Sequence, residues 1–295
     1  MVDPSCIDGV LVIDKPAGPT SHAVVAKVRG LLNSKTGHLG TLDPAATGVL
    51  PLVLGRATRL ARFMQSAEKE YLATIQLGKA TDTYDGDGRT VSETAVPEIT
   101  TGEIDRLLDQ FRGEVSQIPP MFSAVKLNGE RLYKAARRGE TRDRPKRTVR
   151  ILKLVLLERR SEELDLKVHC SSGTYIRTLA HDIGTLIGCG AYLRQLRRTR
   201  SGAYDLSSAI QLEQVEESWQ NALISMDELL PDLPAMVINA RWADAVLHGN
   251  PIDHESIALE GEYCRLMHGN ELLAIGQVEG PRIQPKVVLA RAVKP

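Results

Sequence analysis

Residues 37–50 read GHLGTLDPAATGVL, so a single carboxylate, Asp43, lies in a glycine-rich segment that continues through Pro44 into an apolar run. Glycine permits unusual backbone angles and the close approach of a ligand, and proline fixes the chain directly after the acid. This pattern suits a carboxylate that a rigid loop presents to a ligand. An ordinary Asp-Pro turn has the same composition, and loop chemistry alone favours the turn. We expect residues 36–55 to form a structured loop around a short apolar stretch.

Strand and helix patterns surround this loop. Residues 9–14 form an apolar run typical of a buried strand, and residues 164–170 alternate as half-buried strands do. Thr100 and Glu103 have the spacing of a capping box, and residues 174–186 carry apolar side chains at helical spacing. Because strands and helices follow one another without a regular βαβ rhythm, we predict an α+β fold with a mixed or antiparallel sheet.

The composition of the chain changes near residues 230–234, LPDLP, which we interpret as a linker. We therefore predict a large domain over residues 1–232 and a compact, β-rich module over residues 233–295. The β-like runs of this module lie at residues 262–267, 272–277 and 287–290.

The chain has 295 residues and a formal net charge of zero, but its charges are segregated. Residues 126–160 contain thirteen Lys/Arg and four Asp/Glu, a net of +9, whereas residues 205–262 contain twelve Asp/Glu and one Lys/Arg, a net of −11. Such asymmetry is typical of a protein with one nucleic-acid-facing surface. A solvated charged face explains the basic stretch equally well.

The cysteines indicate the compartment. Cys6, Cys170, Cys189 and Cys264 are too far apart in sequence for a CxxC redox or zinc pair. We expect reduced thiols in a cytoplasmic protein and no metal site. The N-terminus lacks the pattern of a signal peptide, and no apolar run approaches the roughly 20 residues that span a bilayer. Membrane association is therefore not expected.

Residues 37–50 closely resemble the catalytic motif of the TruB family of tRNA pseudouridine-55 synthases. The resemblance is specific, because further family motifs recur in the same order over about residues 9–202. The C-terminal module weakly resembles a PUA-type RNA-binding domain. The other matching segments are KPAGPTS (15–21), KEY (69–71), TDT (81–83), QIPPMFSAVK (117–126), GTYIRT (173–178) and the weaker LRQLRR (193–198).

The resemblance implies an isomerase that converts uridine 55 in the T loop of tRNA to pseudouridine, with Asp43 as the catalytic carboxylate. The reaction breaks the N1–C1′ bond, rotates the base and joins C5 to C1′, so no metal or organic cofactor is expected. The aspartate acts as a covalent nucleophile or as a base. Attack at C6 of the base, attack at C1′ of the sugar and removal of the 2′ proton all stay open.

The resemblance also implies roles for five other residues. Tyr71 stacks on the flipped uracil or takes the C5 proton, and Arg177 pairs with the catalytic carboxylate and keeps it ionised. Tyr175 and Leu196 line the uridine pocket. His38 fills the space that the extruded base vacates, which offsets part of an unstacking cost of about a few kcal/mol. From residue type alone, the tyrosines and the leucine are core residues, the arginine a surface cation and the histidine structural.

The expected partner is the T arm of tRNA, bound without an obligate protein partner by a monomer in the cytoplasm. Two other functions fit parts of the sequence. One is a guide-RNA-dependent pseudouridylase subunit, which has a similar Asp loop, and the other is a non-catalytic tRNA-binding or tRNA-folding module. The co-occurrence of the catalytic residues argues against pure binding. The phosphate contacts are expected from Arg142, Arg144, Lys146 and Arg147.

Overall fold

The computed structural model describes residues 7–123, 126–127, 129–140, 142–253 and 262–289. The helices in this part of the chain are α1 (Ser21–Leu32), α2 (Ala61–Met64), α3 (Thr101–Leu108), α4 (Leu132–Arg137), α5 (Ile176–Ile187), α6 (Val215–Ala222) and α7 (Ala240–Leu247). The strands are β1 (Gly9–Lys15), β2 (Thr36–His38), β3 (Thr47–Leu54), β4 (Lys69–Leu77), β5 (Lys79–Thr81), β6 (Thr90–Glu93), β7 (Gly113–Gln117), β8 (Lys126–Leu127), β9 (Glu130–Arg131), β10 (Arg147–Arg160), β11 (Glu163–Cys170), β12 (Ala191–Ser201), β13 (Tyr204–Asp205), β14 (Ile210–Gln211), β15 (Ile224–Ser225), β16 (Ala235–Val237), β17 (Ile252–Asp253), β18 (Tyr263–His268), β19 (Glu271–Glu279) and β20 (Arg282–Val288).

Most strands form one mixed sheet with the order β14-β1-β3-β12-β4-β11-β10-β7, and β2, β13 and β15 pair beside it. Strand β1 pairs antiparallel with β3, and β3 pairs parallel with β12. The strands from β12 to β7 pair antiparallel. The structure therefore confirms an α+β fold with a mixed sheet.

Successive side chains of β1 belong to two separate cores. Leu11 and Ile13 lie in a core to which α1, α5 and α6 contribute, whereas Val10 and Val12 lie in a second core. Successive side chains of a strand point to opposite faces of the sheet, so β1 is buried on both faces. This explains why residues 9–14 form an apolar run without alternation.

The segment around Asp43 is more regular than a loop. The sequence predicts a loop over residues 36–55, and that prediction is wrong, because β2 and β3 occupy both ends of the segment. Strand β3 lies between β1 and β12, and it is buried on both faces, so its apolar residues do not alternate. Gly48 has a φ of +100°, and a Cβ there would lie 2.2 Å from the carbonyl oxygen of Arg198. The glycine thus permits strand pairing rather than a turn.

A second sheet, with the order β16-β18-β19-β20-β17, forms the C-terminal part. Helix α7 contributes to its core, which confirms the expected β-rich character. Met267 and Leu272 of this sheet share the second core with Val10 and Val12 of β1. The two sheets therefore share one apolar core, and the domain boundary after residue 232 stays a prediction.

The described cysteines are unlinked. Cys170, Cys189 and Cys264 are free and buried, and burial raises the pKa of the Cys170 and Cys264 thiols to about 11. Cys6 lies outside the described residues. Within the ranges that the structure describes, no helix is long and apolar enough to cross a bilayer.

Candidate active site

The loop that carries Asp43 connects β2 to β3, and a buried ammonium holds its backbone. Lys15, the last residue of β1, is fully buried. Its Nζ donates hydrogen bonds to the carbonyl oxygens of Pro16 at 2.8 Å, Pro44 at 3.0 Å and Ala46 at 2.7 Å. Burial lowers the pKa of Lys15 to about 8, and the charge of Asp43 opposes that shift. The backbone directly after the aspartate is therefore anchored to the first strand.

The backbone directly before the aspartate is held by helix α1. The hydroxyl of Ser21, the first residue of this helix, donates to the carbonyl oxygen of Leu42 at 2.8 Å. The same hydroxyl oxygen accepts a hydrogen bond from the Leu42 amide, also at 2.8 Å. Both sides of the aspartate are thus fixed, which is the preorganisation that a catalytic side chain requires.

Arg177, in the first turn of α5, forms a two-point ion pair with Asp43. Its Nε lies 3.0 Å from Oδ2, and its Nη2 donates to Oδ1 at 3.3 Å. The arginine side chain is 7% exposed and the aspartate side chain is 42% exposed. A planar guanidinium suits both oxygens of a carboxylate at once. The cation therefore lies behind a carboxylate that reaches the solvent.

Other segments of the chain fix the guanidinium of Arg177 in turn. Its Nη1 donates to Oδ2 of Asp85 at 3.2 Å and to the carbonyl oxygen of Thr83 at 3.3 Å. Its Nη2 also donates to the carbonyl oxygen of Phe122 at 2.8 Å. Both terminal nitrogens donate hydrogen bonds and Nε lies beside Asp43, so the orientation of the guanidinium is determined by contacts from several parts of the fold.

Opposing influences act on the carboxyl of Asp43. Burial raises its pKa above the ordinary value, and Arg177 is the strongest influence in the opposite direction. Asp85 raises the pKa further, and Lys15 lowers it. Arg177 therefore limits a rise in pKa that burial imposes, rather than bringing the pKa below its ordinary value.

Tyr71 lies on β4 and is buried. Burial raises the pKa of its phenol, and the guanidinium of Arg198 counteracts part of that rise. The charge of Asp43 also raises the pKa of the phenol. The resting side chain is a neutral phenol, which suits stacking on a base.

His38 is the last residue of β2 and is partly buried. Its Nδ1 is buried and has no hydrogen-bond partner among the described residues. Burial lowers the pKa of the imidazole, and the charges of Arg198 and His22 lower it further. The ring is therefore neutral near pH 7 and keeps an unused nitrogen.

Tyr175 occupies the N-cap position of α5, two residues before Arg177, and its side chain makes no capping hydrogen bond. Its amide donates to Oε1 of Gln117 at 3.0 Å, and Nε2 of that glutamine donates to the carbonyl oxygen of Tyr175 at 3.3 Å. Burial raises the pKa of the phenol, whereas Arg147 and Arg177 lower it. Leu196 lies on β12, is partly buried and packs against the main core. The roles of both residues in a uridine pocket stay predictions.

The predicted phosphate-binding residues have different environments. Arg142 is paired: its Nη2 lies 2.7 Å from Glu130 and 3.0 Å from Glu140. Lys146 and Arg147 are exposed. The structure thus leaves the charges of these two cations more accessible than that of Arg142.

Arg144 differs again, because it is partly buried. Its Nη1 donates to the carbonyl oxygen of Pro119 at 3.0 Å. Its Nε is buried and has no hydrogen-bond partner in the part of the chain that the structure describes. The phosphate contacts of all four residues stay predictions.

Sequence patterns give no role to three side chains of this region, Lys15, Asp85 and Arg198. Two of them are cations that bind backbone carbonyl oxygens, and such acceptors do not appear in a pattern of residue types. One sequence signal for Arg198 is available. It follows the apolar Leu196 by two residues on one strand, so both side chains lie on the same face of the sheet, and a charge on that face is unusual. Over the described ranges, no three His, Cys, Asp or Glu side chains are grouped as ligands of a metal ion.

The fold is that of a pseudouridylate synthase. The family model described as TruB family pseudouridylate synthase (N terminal domain) matches residues 28–176, and the model described as tRNA pseudouridylate synthase B C-terminal domain matches residues 177–237. The chain belongs to the TruB family.

Relatives and solved structures agree with this assignment. The chain is 41% identical over 290 residues to the tRNA pseudouridine synthase B of Ectopseudomonas mendocina (strain ymp), a match that covers 95% of this chain and 94% of that protein. It is also 41% identical to the tRNA pseudouridine synthase B of Azoarcus sp. (strain BH72), over 96% and 95% of the two chains. A chain in the crystal structure of a Cbf5-Nop10-Gar1 complex has a TM-score of 0.74 and 30% identity, over 97% of this chain and 86% of that one.

Proposed function

We propose that this pseudouridylate synthase acts on tRNA and isomerises uridine 55 of the T loop. The observation that carries the proposal is the pair of Asp43 and Arg177, in which a buried guanidinium holds both oxygens of a half-exposed carboxylate. A rigid scaffold thus presents one carboxylate to the solvent. The names of the curated relatives support tRNA as the substrate.

Chemically, a fixed carboxylate is sufficient for the role that we propose. The uridine must leave its stack to reach Asp43, which costs about a few kcal/mol. His38 occupies the vacated space, Tyr71 contacts the uracil, and Tyr175 and Leu196 line its pocket. The carboxylate then divides the isomerisation into easier steps as a nucleophile, or removes a proton as a base. The reaction imports no group and no electrons, so the proposal includes no cofactor.

We also propose that the protein works as a monomer in the cytoplasm, without a guide RNA or a protein partner. Solved structures with a similar fold include a chain of an H/ACA RNP bound to a substrate RNA that contains 2′-deoxyuridine. The guide-dependent alternative predicts no reaction on a bare transcript. Activity of the purified chain on an unmodified tRNA transcript therefore separates the two functions.

The central test is Asp43→Asn. The amide is nearly isosteric but is neither a nucleophile nor an ionised base, so single-turnover tritium release from C5-labelled uridine in a T-arm stem-loop should fall by at least about 1,000-fold. Filter retention should show RNA binding within about threefold of the wild type, because the RNA surface survives. The matched control is Asp109→Asn, at a carboxylate that is 62% exposed. A rate near that of the wild type for Asp43→Asn would refute the assignment.

A further inference from the structure

Arg198 is a fully buried cation between the loop that carries Asp43 and the strand that carries Tyr71. Strand β12, which carries it, lies between β3 and β4. The Cα of Arg198 is opposite that of Tyr71 in the antiparallel pair with β4 and opposite that of Gly48 in the parallel pair with β3. Side chains at directly opposed positions of neighbouring strands lie on one face of the sheet. Arg198 and Tyr71 are therefore neighbours because of the strand register.

Two nitrogens of this guanidinium hold the backbone around the Asp43 loop. Its Nε donates to the carbonyl oxygen of Val49 at 2.7 Å, and its Nη2 donates to the carbonyl oxygen of Gly40 at 3.0 Å. A Cβ at Gly40 would lie 3.6 Å from Nη1 and 3.3 Å from Cε of Lys69, so the glycine leaves room for both cations. Arg198 thus contacts the chain on both sides of the aspartate.

The third nitrogen, Nη1, is buried and has no hydrogen-bond partner in the described part of the chain. A buried donor without an acceptor is costly and requires an explanation. Burial lowers the pKa of Arg198, and the group that counteracts this shift is the phenol of Tyr71. The neighbouring Lys69 is also a cation, so it cannot neutralise the positive charge of Arg198; the charge of Arg198 instead lowers the pKa of Lys69. The acidic group that faces Arg198 is therefore the tyrosine.

We propose that Arg198 is a positioning residue for Tyr71: in the RNA-bound enzyme its Nη1 donates a hydrogen bond to the phenol oxygen, while Nε and Nη2 hold the Asp43 loop. One rigid guanidinium then fixes the distance between the tyrosine and the aspartate. The inference rests on the proposed function, in which Tyr71 contacts the uracil. A lysine cannot replace the planar fork, because an ammonium cannot reach all three acceptors in one plane.

A double-mutant cycle on the full-length protein tests this inference. Arg198→Lys should lower the single-turnover rate on the T-arm stem-loop by about 30-fold. The KM of the enzyme for the stem-loop, from multiple-turnover assays, should change by less than about threefold. In a Tyr71→Phe background, which lacks the phenol oxygen, the same substitution should cost only about threefold to tenfold, because only the contacts of Nε and Nη2 with the Asp43 loop remain to be lost. The control is Arg197→Lys, one residue away, where the arginine is 40% exposed and pairs with Asp14 at 2.8 Å; its effect should be the same in both backgrounds.

If the double variant loses the product of the two single-variant rate losses, the inference is overturned. Such independence is what a purely structural arginine would show. A near-wild-type rate for Tyr71→Phe would also overturn it, while the outcome of Asp43→Asn would still decide the proposed function separately.

If Arg198→Lys does not fold, nitrogen-15 NMR of arginine-labelled protein provides a second measurement. The side-chain signal of Arg198 should shift when the stem-loop is added to the wild type. That shift should be absent in Tyr71→Phe, which keeps the ring and lacks only the acceptor. An identical shift in both proteins would show that Nη1 does not bind the phenol.

Discussion

Cations in two regions of this molecule are held in opposite ways. Around the Asp43 loop, Lys15, Arg177 and Arg198 are buried and bind backbone carbonyl oxygens, the carboxylate or both. In the basic stretch, Arg138 is 48% exposed and Arg142 is 29% exposed, and they share the same two glutamates. Exposed ion pairs contribute little to stability, whereas buried charges are costly and depend on their partners.

The difference shows why a count of charges is a poor guide to a surface. The net +9 of residues 126–160 suggests a uniform basic surface, but the structure neutralises part of it internally. The buried cations, by contrast, bind the backbone of the Asp43 loop or its carboxylate, so they determine where this carboxylate lies. The substitutions below remove buried cations around the Asp43 loop or exposed cations at the surface.

The largest effect is expected from Arg177→Ala. Loss of the guanidinium frees the rotamer of Asp43 and removes the strongest influence that lowers the pKa of this carboxyl. The single-turnover rate should fall by about 100-fold, with Arg177→Lys between this variant and the wild type. Because the carboxylate is the active form and its pKa rises further without Arg177, the acid limb of the pH–rate profile should move to higher pH. An acid limb that stays in place would show that the two residues are not coupled.

A smaller effect on stability is expected from Lys15→Met. Three backbone carbonyl oxygens lose a donor, so the free energy of unfolding in urea should fall by about 1–3 kcal/mol. Lys167→Met is the matched control, since that lysine is 38% exposed and pairs with Glu70 at 3.1 Å. Its loss should change the free energy of unfolding by about 0–1 kcal/mol. Equal losses in the two variants would contradict the contrast between buried and exposed cations.

The smallest effect concerns the salt dependence of tRNA binding. Lys146→Gln with Arg147→Gln removes two exposed charges, so the slope of log affinity against log salt should become shallower by about 1.4–1.8. Arg138→Gln with Arg142→Gln removes the same net charge, but both arginines are already paired with Glu130 and Glu140. This second change should alter the slope by less than about 0.5. Indistinguishable slopes would mean that pairing does not decide which cations meet the RNA.

Much of the fold is predictable because its signals are local. The capping box between Thr100 and Glu103 is present at the start of α3, as its spacing predicts. Residues 164–170 form the alternating strand β11, and residues 174–186 contain most of α5. The prediction of a loop over residues 36–55 is wrong for a physical reason. A strand buried on both faces gives an unbroken apolar run, and Gly48 in this strand leaves room for the backbone of the neighbouring strand.

The geometry of the site is harder to predict from the sequence, because it depends on the register in which the strands pair. Asp43, Tyr71 and Arg177 follow from resemblance to a family, and their roles stay proposals. The opposed positions of Arg198 and Tyr71 follow from the pairing of β12 with β4, which no local pattern specifies. Bonds from Lys15 to backbone carbonyl oxygens are equally invisible in residue types, since every residue carries that acceptor.

The parallel and long-range pairing of the main sheet also determines when the site forms during synthesis. Asp43 and Arg177 are 134 residues apart in sequence, and β1 pairs with Ile210 and with Ser225. Such distant contacts close slowly and follow chain elongation, which delivers the N-terminal strands first. A translation product that stops before α5 therefore carries the aspartate without its guanidinium. The pairing of Asp43 with Arg177 is thus absent until the ribosome has delivered the first turn of α5.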